Sequence, residues 1–155
     1  MNIDLRTALP MLLPSAIKWA EARAQEVAQS GERPNERRIL IARAVGVRRP
    51  ELIRIALVDH LPLPEDPQLR TAALQTGLLG PGMVGLTLGH SVLIRRGHDT
   101  IRLLSHEFRH VHQYEQFGSI ANFLPVYLKQ IVESGYANAP FEIDARVHEK
   151  TGLAE

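Results

Sequence analysis

Residues 102 to 118 read RLLSHEFRHVHQYEQFG, and within them His106 and His110 stand four positions apart, with Glu107 directly after the first. On a helix, positions i and i+4 share a face, so two imidazoles at this spacing converge on one point. Glu107 lies one step round, close enough to reach a water held beside them. Neutral imidazole is a good zinc ligand, and a catalytic zinc takes three protein ligands and leaves the fourth position for water. The chemistry that this spacing serves is amide hydrolysis, with Glu107 as the general base that takes a proton from the water and returns it to the leaving amine. His112, two residues past His110, points to another side of the helix and reads as a surface or supporting residue.

A third ligand has to come from outside this segment. The candidates are Glu133, Glu142, Asp144, His60, His90, His98, His112 and His148. Glu142 is the favoured one. It stands in the first turn of a helix opened by Pro140, and Ala145, three residues on and on the same face, leaves room for close approach to the histidine helix. The competing role for Glu142 is a negative charge complementing the helix dipole. Asp144 points elsewhere and is expected to orient an imidazole or to pair with Arg109 or Arg146, and it is the next choice of ligand after Glu142.

These residues need a scaffold, and the pattern predicts α+β, predominantly helical, with a short sheet or hairpin just before the histidine helix. A helix is expected from Ala16 to Gln29, capped by Ser15, and a second from Asn35 to Val45 that closes at Gly46. Residues 51 to 61 carry the run Ile53, Ile55, Leu57 and Val58, a strand stopped by Pro62, Pro64 and Pro67. A short helix over 68 to 79 ends in LLGPG. In VGLTLGHSVLI, Val84, Leu86 and Leu88 alternate with Gly85, Thr87 and Gly89, which predicts a hairpin turning at Gly89-His90-Ser91. Its VGLTLG strand is either a sheet edge that accepts an extended peptide or an ordinary buried strand. Three helices complete the chain: Ile101 to Phe117 ending at Gly118, Ser119 to Glu133 bent or interrupted by Pro125, and Pro140 to about Lys150. One domain is expected over residues 1 to 155, with 1 to 80 as scaffold or cover and 84 to 150 as the core of the metal site.

Composition narrows the function classes. The 155 residues include 18 basic and 17 acidic side chains, a formal charge of +1, and Arg37-Arg38 and Arg95-Arg96 are short pairs on solvated faces. No nucleic-acid or membrane partner is expected from this balance. The absence of cysteine removes disulfides, thiolate ligands and thiol nucleophiles. The glycines between Gly77 and Gly89 lack the lysine of a phosphate-binding loop. The opening MNIDLRTALPMLLP has no basic start or clean apolar stretch of a secretory signal, and no apolar run is long enough to span a bilayer, so the cytoplasm is the default location.

LLSHEFRHVHQYEQFG followed by NAPFEIDAR resembles the zinc peptidases that use two histidines and a glutamate, the gluzincins. More narrowly, it is similar to small, mostly uncharacterised bacterial domains of the form L-x-H-E-x-x-H-x-x-Q then N-x-P-x-E-x-x-A. The matching positions are Leu104, His106, Glu107, His110 and Gln113, then Asn138, Pro140, Glu142 and Ala145. Gln113 and Gln116 stand where the longer metzincin pattern needs glycine and histidine, which argues against that type. The resemblance covers about residues 84 to 150. It implies a zincin-like fold with zinc on His106, His110 and Glu142, Glu107 as catalytic base, and a peptide or protein substrate. An oxyanion donor is also needed, from among Tyr127, Tyr136, Arg109, His90 and His112. Tyr136 is favoured by its nearness in sequence to the Glu142 helix. The alternative from another class is a catalytically inactive, metal-stabilised domain that binds a protein partner.

Overall fold

The computed structural model describes residues 3–152. Six α-helices and three strands follow one another as α1 (Leu5–Ser30), α2 (Glu36–Ala44), β1 (Arg54–Val58), α3 (Pro67–Thr76), β2 (Gly85–Leu88), β3 (Ser91–Arg95), α4 (Ile101–Phe117), α5 (Ile120–Ser134) and α6 (Pro140–Val147). The fold is therefore α+β and dominated by helices, as the sequence pattern predicts. No helix among the described residues is long and apolar enough to cross a membrane.

The sheet has the order β1-β3-β2, with β3 parallel to β1 and antiparallel to β2. Side chains alternate along each strand, so the sheet feeds two cores. Val92 and Ile94 of β3 join Ile55, Ile41 and Val45 against Leu104, Phe108 and Val111 of α4. Leu93, Leu86 and Leu88 face the other way, toward Ala16 and Ala20 of α1 and Phe123, Leu124 and Ile131 of α5. Phe108 is fully buried between the two histidines in sequence. Truncating a core phenylalanine costs about 3–5 kcal/mol, so this one residue does much to fix how α4 sits on the sheet.

Three sequence expectations are corrected. The first helix begins at Leu5 rather than after Ser15 and runs through Pro10 and Pro14. Both prolines are exposed, so the carbonyls they leave without an amide partner, those of Arg6 and Pro10, lie on the solvent side. Pro125 does not interrupt the fifth helix, which is continuous from Ile120 to Ser134. Its missing bond falls on the carbonyl of exposed Ala121 in the first turn. The last helix ends at Val147 instead of near Lys150. Beyond it His148 Nδ1 donates to the Asp144 carbonyl at 2.8 Å, and the Lys150 amide donates to Ser105 Oγ at 2.8 Å, which folds the chain back along α4.

Candidate metal centre

The helix bearing both histidines is fixed at its two ends. Thr100 Oγ1 accepts from the Leu103 amide at 3.2 Å, and Gly118 closes the other end at φ 86°, a left-handed conformation that glycine adopts without steric cost. Leu104, Phe108 and Val111 hold one side in the core, which turns His106 and His110 toward α6. There Glu142 is 1% exposed and Ala145 is fully buried, so the small side chain lets the two helices approach closely.

The Nε2 atom of His106 lies 3.2 Å from Glu142 Oε1, and that of His110 lies 2.9 Å from Glu142 Oε2. One ligand atom from each of His106, His110 and Glu142 lies within 4.8 Å of the others, a group that could hold a metal ion. None of the other third-ligand candidates joins such a group among the described residues. Glu142 is placed as the sequence reading expected, by the packing of α6 on α4.

The surroundings of the two rings decide which nitrogen is available. His106 Nδ1 donates to Glu149 Oε2 at 2.8 Å, and His110 Nδ1 donates to Gln113 Oε1 at 2.8 Å. Both acceptors fix the proton on Nδ1 and leave Nε2 as the nitrogen facing Glu142, the arrangement that metal-ligating histidines require. Gln113 is itself held, donating through Nε2 to Asp144 Oδ2 at 2.9 Å and to the Phe141 carbonyl at 3.0 Å. Asp144 in turn receives Arg109 Nε at 2.7 Å and Nη2 at 3.2 Å. Asp144 thus pairs with Arg109, one of the two roles expected of it, and reaches His110 only through Gln113.

Electrostatics agree with a cation site. Burial pushes His110 down, but the hydrogen bond and charge of Glu142 prevail and raise it to about 9. His106 is raised as well, with burial opposing and the Glu142 hydrogen bond and the Glu107 charge in favour. Burial pushes the Glu142 carboxyl up, yet its bonds to His106 and His110, with Tyr127 behind them, hold it well below the usual carboxylate range. A buried carboxylate of this kind draws positive charge to the Nε2 side of both rings, as protons or as a metal cation. The donor set of two imidazoles and one carboxylate fits zinc.

Glu107 is 5% exposed and lies under the edge of the sheet. Thr87 Oγ1 donates to Glu107 Oε1 at 2.8 Å. Gly85, on the same face of β2, leaves the space that the carboxylate fills. Tyr127 donates its hydroxyl to Glu142 Oε2 at 2.6 Å. The remaining oxyanion candidates separate cleanly. Arg109 is taken up by Asp144 and the Val45 carbonyl, His112 by the Gly46 carbonyl, and His90 by Glu115. Tyr136 lies with Tyr127, Glu107, His110 and Glu142 along one cavity, and its hydroxyl is raised by burial and by the Glu142 charge.

Four supporting residues had not been given these roles from sequence: Gly85, Thr87, Tyr127 as the partner of Glu142, and Glu149. The alternation of small or polar Gly85 and Thr87 with Leu86 and Leu88 was a usable signal for the first two. For Glu149, which follows the end of α6, no local pattern existed. The chain matches no family model, no curated protein and no solved structure.

Proposed function

We propose that this chain is a zinc-dependent peptidase, with the metal on His106, His110 and Glu142. The observation that carries the reading is the convergence of two Nε2 atoms and a buried carboxylate beside Glu107, at the end of a cavity bordered by β2. Bound zinc would supply Lewis acidity to a substrate carbonyl and to a water.

The chain's own residues would do the rest. Glu107, held through Oε1 by Thr87, takes the proton of the attacking water and passes it to the departing amine nitrogen. Tyr127 keeps the Glu142 carboxylate in place, and Tyr136, which also faces Glu142 from the same cavity, is the hydroxyl assigned to the oxyanion. On the sheet, β2 pairs with β3 on one side alone among the described residues, and all four of its residues are buried and border the cavity.

The test combines metal content with turnover. Protein purified without an affinity tag should carry about one zinc per chain, lost in His106→Ala, while Glu107→Gln should keep zinc and cleave no peptide. Zinc content unchanged by His106→Ala would refute the ligand set, and a fully active Glu107→Gln protein would refute the base. A wild-type protein that holds zinc and cleaves nothing would be the metal-stabilised binding domain instead.

A further inference from the structure

A cavity of about 110 Å³ lies between α1, α3, α5 and β2 and ends at Glu107, His110 and Glu142. Its walls are apolar, including Leu12, Leu79, Leu86, Leu124 and Ile131. The ionisable side chains along it are Glu107, His110, Glu142 and the tyrosines Tyr114, Tyr127 and Tyr136, and most of these cluster at the metal end. Polarity is therefore graded: a charged end where a bond could be broken, and a greasy interior beyond it.

From this we infer that the cavity receives one large aliphatic or aromatic side chain next to the scissile amide, making the protein selective for peptides with leucine, phenylalanine or similar residues at that position. The inference rests on the peptidase reading and adds the substrate class to it. Size selects a single side chain over a long acyl chain, because an engineered apolar cavity of about 150 Å³ is filled by one benzene molecule. Charge disfavours acidic and basic side chains, which would lose their water among the apolar walls beyond the metal end. One wall residue, Trp19, has a buried indole N–H without an acceptor among the described residues.

The decisive experiment gives zinc-loaded protein a set of peptides that differ at one position and reads cleavage by mass spectrometry. Peptides with leucine or phenylalanine beside the cleaved bond should be cut about tenfold or more faster than those with alanine, aspartate or lysine. Ala73→Phe fills the cavity from a half-buried wall position and should remove this preference without loss of zinc. Leu128→Ala enlarges the cavity and should shift the preference toward tryptophan, a second readout should Ala73→Phe fold poorly. Binding of toluene, an uncharged probe about the size of one phenylalanine side chain, read by NMR chemical-shift changes, should occur in wild type with or without zinc and be at least about tenfold weaker in Ala73→Phe.

Cleavage at equal rates for all side chains overturns the selectivity and leaves the peptidase standing. No cleavage of any peptide, with the probe still bound by wild type and lost by Ala73→Phe, overturns the peptidase reading and the substrate class together, leaving only an apolar cavity. Probe binding that Ala73→Phe leaves unchanged overturns the assignment of the cavity itself.

Discussion

Gly85 lies so close to Glu107 that a Cβ built on it would stand 2.7 Å from Glu107 Oε2 and 2.9 Å from its Cδ. No backbone strain requires glycine there; the carboxylate occupies the space of the missing side chain. Gly85→Ala should push Glu107 out of place. A misplacement of roughly 1 Å costs about a hundredfold in rate, whereas the proposed ligands are other residues. Peptide turnover should therefore fall about a hundredfold with zinc content unchanged. Equal turnover in wild type and variant would mean that Glu107 has freedom to move or does no chemistry.

Glu149 fixes the His106 ring through Nδ1 and also receives Arg102 Nε at 2.8 Å. Partners of ligating histidines typically change metal affinity by about 10–100-fold when removed. Glu149→Ala should weaken zinc binding by that factor in a competition titration with a chelating dye. Arg102→Ala, which removes only the exposed ion pair, should change it far less. If the two variants behaved alike, Glu149 would be acting through Arg102 and not through the histidine.

The hydroxyls of Tyr136 and Tyr127 both face Glu142, Tyr127 donating to it at 2.6 Å, and the two are assigned different roles. Loss of one oxyanion donor lowers kcat by about 10²–10³. Tyr136→Phe should show that loss with zinc affinity and KM little changed. Tyr127→Phe should weaken zinc binding by about tenfold. A reversal of these two patterns would exchange the roles of the tyrosines.

Glu115 ties the chain after α2 to the site helix, accepting the Arg48 amide at 2.8 Å, the Arg49 amide at 3.0 Å and facing His90 Nε2 at 3.0 Å. Burial pushes its carboxyl up, but those donors hold it below the ordinary value of 4.5. A carboxyl lowered on folding adds stability above its unfolded value and loses it as pH falls through the folded one. Glu115→Ala should destabilise the protein by about 1–3 kcal/mol at pH 7. The gap between wild type and variant in denaturant unfolding should narrow once pH falls below 4.5. A constant gap from neutral to acid would show that the carboxylate charge contributes nothing.

Much of the site was legible before any coordinates. The i, i+4 spacing of His106 and His110 is a local property of a helix, and the stop at Gly118 is local as well, so the sequence bounded α4 from Ile101 to Phe117. The hairpin could be read from alternation, and the second helix from Asn35 and Gly46. Where the reading ended or interrupted a helix, at Pro10, Pro14 and Pro125, local propensity was overruled: solvent-facing carbonyls tolerate a missing amide when the opposite face is packed.

The sequence by itself determined the paired imidazoles, the adjacent Glu107 carboxylate and the apolar stripes that bury their helix, because each depends on the 3.6-residue period of one segment. It named Glu142 only as the favoured candidate among several. Its convergence on both Nε2 atoms was decided by the packing of α6 against α4, across 32 residues of chain. The same holds for Glu149 behind His106, for Gly85 and Thr87 around Glu107, and for the apolar cavity that ends at the site. These are contacts between segments, fixed by which faces the two cores bury, and no period within one segment encodes them.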